Sequence, residues 1–98
     1  MQVDFFFKNF NEAEKKSLEN YFEAKLPQLK KLIERRFKDS ALLRVKAEKF
    51  NTKSAYKVTL DLKLPKRSFL VSEDDHTIVE AVDLAKDKLI AQLKKLKR

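Results

Sequence analysis

The sequence predicts an α+β domain of order β-α-β-β-β-α, a four-stranded sheet with two helices packed on one face. Three observations predict it. Apolar residues recur at every second position in three consecutive segments between residues 41 and 73. They recur at spacings of three and four over residues 11–37 and again from Ile78 onward. A short apolar run that reads as a strand precedes the first of these helices. Ninety-eight residues fit one small domain, residues 1–98.

"QVDFFFK" is the first strand. Val3, Phe5 and Phe7 share one face and Phe6 lies on the other. A run of three Phe reads as core strand; an exposed, stacking Phe6 is the second reading. The first helix is "NEAEKKSLENYFEAKLPQLKKLIERRF", with Leu18, Phe22, Lys25 or Leu26, Leu29 and Ile33 on its inner face. Asn11 is its expected N-cap, with acids in the first turn where the helix dipole favours them. Lys30, Lys31, Arg35 and Arg36 load the other end, where it favours cations. Pro27 lacks an N–H and crowds the carbonyl four residues back, so a kink is expected and a break is the alternative.

"ALLRVKAEKF" alternates Leu43, Val45 and Ala47 with Arg44, Lys46 and Glu48, a half-buried strand. "NTKS" is a turn. "AYKVTLDLKL" alternates again, "PKR" turns the chain, and "SFLVSE" is a shorter strand. These three form an antiparallel meander with one wet face. Thr77 and Glu80 match a capping box opening the last helix. Its stripe is Ile78, Val82, Ala85, Leu89, Leu93 and Leu96. The first β-α-β unit requires a right-handed crossover.

Composition narrows the function. There is no Cys, hence no disulfide framework and no thiolate zinc site. Glycine is also absent. A P-loop, a dinucleotide fingerprint and a GxxG clamp all need it, because only glycine lets backbone amides approach phosphate at those dihedrals. Turns must therefore use Asn, Pro, Asp or Ser. No apolar stretch approaches the roughly 18 residues of a membrane span, and nothing resembles a signal peptide, so a cytoplasmic protein is expected. No cofactor or small-molecule substrate is implied.

Charged residues make up 39% of the chain, against about 25% in an average domain, and the net charge is +8. That excess favours polyanions. Its placement is uneven. Residues 1–24 sum to −2, 25–38 to +5, 44–67 to +6, 68–83 to −5 and 84–98 to +5. Alternation of this kind fits a folded domain with a positive and a separate negative surface.

On the last helix Lys88, Gln92 and Lys95 form a polar ridge beside the leucine stripe, extended by Lys94, Lys97 and Arg98. Cations at a helix C-terminus can be there for the dipole and for solubility alone. Repetition favours a binding surface. The first helix also ends basic, and the strands add Arg44, Lys46, Lys49, Lys53 and Lys57. Such a surface can track phosphates, each neutralised phosphate releasing counterion.

Four pieces of the chain, in order, carry a resemblance: "MQVDFFFKN", "LENYFEAKLPQLKKL", "VKAEK" and "EAVDLAKDKLIAQLKKLK". Together they resemble the ribosome hibernation promoting factor family, also called the sigma-54 modulation or ribosome-associated inhibitor family. The last piece is the most specific, since the family reads A-I/V-D, then D-K-L, then Q-L, then spaced lysines. The resemblance implies the fold derived above. It also implies a protein that lodges in the decoding region of the small ribosomal subunit when growth slows. There it would lie across the messenger channel and the A- and P-site tRNA positions, touching ribosomal RNA through basic residues, blocking initiation and preserving idle ribosomes. Residue by residue, it implies rRNA contacts for Lys25, Lys88, Lys95 and Lys97 on the helices and for Lys46 and Lys49 on the second strand. Asp83 and Asp87 also match and are expected to cap or pair rather than bind RNA.

The departures are specific. Gln28 stands where the family usually has Lys, with Lys30 and Lys31 near enough to compensate. Thr77-Ile78-Val79 replaces an Asp-Met-Tyr, and Lys66-Arg67 replaces glycines. The expectation is the short form of the family, with a piece of the long form as the alternative, monomeric off the ribosome. A general double-stranded RNA binder is the main alternative, since its domain also packs helices on an antiparallel sheet. An enzyme is not expected. Asp74, Asp75 and His76 are adjacent rather than spaced for a metal, and read as a solvated loop entering a helix cap. A membrane-surface role for the last helix is disfavoured, because the sheet needs its apolar stripe.

Overall fold

The computed structural model describes residues 1–37 (Arg36 by its backbone), 40–52 and 54–95. The expectations for Lys53, Leu96, Lys97 and Arg98 lie outside them. The observed order is β1 (Gln2–Lys8), α1 (Glu12–Phe37), β2 (Leu42–Lys49), β3 (Tyr56–Lys63), β4 (Ser68–Asp75) and α2 (Ile78–Lys94). The sheet order is β1-β2-β3-β4. β1 pairs parallel to β2, and the other two pairs are antiparallel.

Register sorts the strand residues onto two faces. Phe5, Val45, Leu60 and Val71 lie in one cross-strand row, and Val3, Leu43, Leu62 and Phe69 in another. These rows meet Leu18, Phe22, Leu29 and Ile33 of α1 and Ala81, Val82, Ala85, Leu89 and Leu93 of α2 in one core. Phe22 meets Phe5 edge-on, with ring centres 5.8 Å apart, and this contact seats α1 on β1. The seam continues through Phe7 and Phe10 to Tyr56.

Local chemistry explains the boundaries. Asn11 Oδ1 accepts from the Glu14 amide at 2.8 Å, and Glu14 Oε1 accepts from the Asn11 amide at 3.1 Å. That is a full capping box, of which the sequence reading expected only the Asn11 half. α1 runs unbroken through Pro27, which is exposed. At α2, Thr77 Oγ1 accepts from the Glu80 amide at 3.1 Å. With no glycine available, Asn9 takes the left-handed conformation (φ 63°) between β1 and α1, and its side chain donates to the Lys49 carbonyl. β4 extends two residues past "SFLVSE". Asp disfavours strands, but Asp74 and Asp75 pair in register with Lys57 and Tyr56.

Topology also sets direction. α1 returns from the end of β1 to the start of β2, and α2 returns from the end of β4. Both helices therefore run against β1, β2 and β4, and their C-termini lie at the same end of the molecule. The β3–β4 turn lies there too, closed by the Leu64 amide donating to the Arg67 carbonyl at 2.8 Å.

Candidate nucleic-acid interface

Two surfaces collect basic side chains, the second of them interleaved with acids. The first is the end where both helices finish. It brings Lys30, Lys31 and Arg35 of α1 together with Lys94 and Lys95 of α2 and with Lys63, Lys66 and Arg67 from the β3–β4 hairpin. All eight are exposed. Lys30, Lys31, Lys66, Lys94 and Lys95 form no ion pair with another described residue. The contribution of Lys66 and Arg67 was not read from the sequence. Strand directions alone would have found it, because a turn preceding β4 must sit beside the C-terminus of a helix that follows β4.

α2 presents Lys88, Gln92 and Lys95 as an exposed ridge, as the spacing predicts. Lys88 is not idle there. Its ammonium reaches Glu73 of β4 at 3.0 Å, an exposed pair that a phosphate can replace at little cost. Lys25 lies at the seam between the helices, its ammonium 5.3 Å from the Tyr21 ring. The Tyr21 hydroxyl in turn lies 2.9 and 2.8 Å from the two oxygens of Asp83. Burial, and then this carboxylate, push the Tyr21 phenol above its ordinary range. Lys86 is buried and reaches the Gln28 side chain at 3.4 Å and Asp87 at 3.1 Å. Gln28 thus links α1 to α2 through Lys86, Asp87 forms the expected ion pair, and Asp83 instead accepts a hydrogen bond from a phenol.

The second surface is the sheet face turned away from the helices. Here Lys46 and Lys49 part company. Lys49 lies on the helix side, its ammonium 3.2 Å from Glu14, whose carboxylate also accepts from the Tyr56 hydroxyl at 2.8 Å. The Asn11 amide and the Tyr56 hydroxyl hold the Glu14 carboxyl below its ordinary range, with Lys49 adding to them. The same carboxylate pushes Lys49 and Tyr56 up. Lys46 stands on the open face beside Phe6 and Thr59, in the row next to Lys8, Glu48 and Lys57. Those six residues, with Phe7 and Ala47 between them, line an open concavity of about 260 Å3. Arg44 is on the same face, flanked in register by Asp4 and Asp61. Phe6 is 49% exposed, so the core reading of the Phe run holds for Phe5 and Phe7 and not for Phe6.

Among the described residues no three His, Cys, Asp or Glu side chains are placed to hold a metal. Asp75 instead accepts from the His76 amide at 2.7 Å, and His76 Nδ1 lies 3.0 Å from the Ser54 carbonyl oxygen. No described helix is long and apolar enough to cross a membrane.

Comparison with known proteins matches the sequence to one family and the fold to solved structures. The sequence profile of the family described as Sigma 54 modulation protein / S30EA ribosomal protein matches residues 5–98. Among solved structures, the N-terminal domain of Protein Y from Thermus thermophilus superposes with a TM-score of 0.69 at 21% identity, over 99% of this chain and 100% of that one. A ribosomal subunit interface protein from Coxiella burnetii superposes with a TM-score of 0.66 at 19% identity, over 97% of this chain and 96% of that one. At these identities the likeness is one of fold. A sequence search of curated proteins finds no significant match.

Proposed function

The chain belongs to the sigma 54 modulation protein / S30EA ribosomal protein family, and from that premise we propose that it is a ribosome hibernation factor. It binds the decoding region of the small subunit, across the messenger channel and the A and P tRNA sites. Binding inhibits translation and preserves idle ribosomes. The contacts are to ribosomal RNA, and off the ribosome the protein is a monomer.

The observation that supports this reading is the convergence of two basic helix ends and a basic hairpin at one end of the chain. A single basic helix end is common, because the dipole favours it. Three at one place concentrate like charge, which costs free energy unless an anion answers it. The ridge of Lys88, Gln92 and Lys95 continues that surface along α2. Lysines there act as mobile point charges that follow a phosphate backbone without demanding one geometry.

Co-sedimentation with purified ribosomes, at low and moderate salt, tests the proposal. The protein travels with the small subunit, free duplex RNA does not displace it, and binding weakens as salt rises. If duplex RNA strips it from the ribosome, the general double-stranded RNA binder is the better reading. If it stays at the top of the gradient, ribosome binding is refuted.

A further inference from the structure

Of the three Phe of β1, Phe6 alone faces away from the core. Phe5 and Phe7 pack against it, whereas Phe6 is 49% exposed. Its surroundings carry three lysines against one acid, Glu48, which stands between Lys8 and Lys57. Lys46 is the register partner of Phe6 on β2, Thr59 follows on β3, and Lys8 and Lys57 stand in the adjacent row. We propose that the concavity they line is a site for one unpaired nucleobase of single-stranded RNA. The base stacks on Phe6, and the phosphates flanking it meet Lys46 and Lys57, with Lys8 at the rim. The proposal deepens the ribosome-binding reading and rests on it in taking RNA as the partner.

Four observations select this occupant. First, the concavity of about 260 Å3 is open and has a ring on one wall. That is below the roughly 300–1,000 Å3 of a pocket for a whole small molecule, and it suits one planar ring. Second, Lys46 and Lys57 form no ion pair with another described residue, so a phosphate displaces nothing. Lys8 reaches Glu48 at 3.8 Å, a loose exposed contact that yields easily. Third, the other large apolar side chains of this face stand apart from Phe6: half-buried Leu42 lies beyond the charged row of Asp4, Arg44 and Asp61, and Leu70 is on β4 at the opposite edge of the sheet. Three strand spacings of about 4.8 Å separate Leu70 from Phe6. The face therefore has no continuous apolar patch for a second copy of the chain. Fourth, a duplex keeps its bases stacked on one another and has no free ring face for Phe6, whereas a single strand does.

The test is an anisotropy titration of a fluorescein-labelled single-stranded RNA decamer, beside the same sequence as a duplex. The proteins are wild type, Phe6→Ala and Phe6→Trp, each checked for an unchanged melting curve. Phe6→Ala weakens single-strand binding roughly 5- to 150-fold, the loss of about 1–3 kcal/mol per stacked base, and leaves duplex binding as it was. Phe6→Trp retains binding. Because the chain has no other Trp, its lone indole reports stacking by fluorescence quenching. The proposal is overturned if the wild type ignores the decamer at low salt, if Phe6→Ala binds it equally well, or if the indole is not quenched. It is also overturned if Phe6→Ala abolishes a concentration-dependent dimer, which would assign the face to a second copy. Ribosome sedimentation of the wild type is scored separately. Its failure refutes the hibernation reading and leaves the single-strand result standing.

Discussion

The Tyr21 hydroxyl lies within 2.9 Å of both oxygens of Asp83, and this contact joins α1 to α2 across 62 positions of sequence. A phenol donating to a carboxylate in a part-buried seam is a charge-assisted hydrogen bond. Tyr21→Phe keeps the ring and its contact with Lys25 but leaves the carboxylate without its donor. We expect a loss of roughly 1.5–3 kcal/mol of stability, read as a lower denaturant midpoint at unchanged slope. An unaltered midpoint would show that solvent already satisfies Asp83.

The Glu14–Tyr56–Lys49 cluster predicts a pH window. The Glu14 carboxyl is held below its ordinary value of 4.5. Its contribution is therefore present above about that pH and lost as pH falls through the lower folded value. Tyr56 and Lys49 are raised above 10.0 and 10.5. Their contributions are present below those values and lost as pH rises through the folded ones. The stability difference between wild type and Glu14→Gln should thus be flat from about pH 5 to 10 and shrink on either side. A difference that grows in acid would contradict the assigned direction.

Charge reversal tests the α2 ridge. Lys88 and Lys95 are exposed, so Lys88→Glu with Lys95→Glu should abolish co-sedimentation with ribosomes and leave the fold intact. Setting a carboxylate against Glu73 in place of the present ion pair costs about 1 kcal/mol or less at an exposed site. For a domain of this size that is a melting shift of a few degrees. Wild-type ribosome affinity in the double variant would remove the ridge from the interface.

Leu89 is fully buried in the core. Leu89→Ala should destabilise by roughly 2–5 kcal/mol, because a cavity is left where the methyls were. Thermal unfolding measures this directly, and an unchanged transition would contradict the packing of α2 on the sheet.

The elements were legible because periodicity reports which face is buried. Val3, Phe5 and Phe7 alternate with Phe6, and that alternation is the burial observed. The open face was less legible. Pleat parity places Phe6 and Lys46 on it, but nothing along the chain says that Lys57 and Thr59 arrive beside them; register does. Lys49 shows the opposite difficulty. Among the basic residues of β2 it reads like Lys46, yet three positions along a strand invert the face, and a partner 35 residues away in sequence, Glu14, binds it. Local pattern identifies cations; long-range pairing decides which of them remain open.

Pro27 is the place where local propensity and the fold disagree. A proline inside a helix costs about 3 kcal/mol relative to Ala, yet α1 continues for ten residues beyond it, to Phe37. The fold overrides the cost because Leu29 and Ile33, both fully buried, hold the second half of the helix on the sheet. Pro27 is exposed, so Pro27→Ala removes no core contact and restores the bond to the Glu23 carbonyl. We expect a stabilisation of up to about 3 kcal/mol, measured by chemical denaturation. Ribosome affinity of the same variant then separates two roles. If it is unchanged, the proline is merely tolerated by the packing. If it falls while stability rises, the backbone at Pro27 aims Lys30 and Lys31 at the RNA, a direction that a regular helix would not give them.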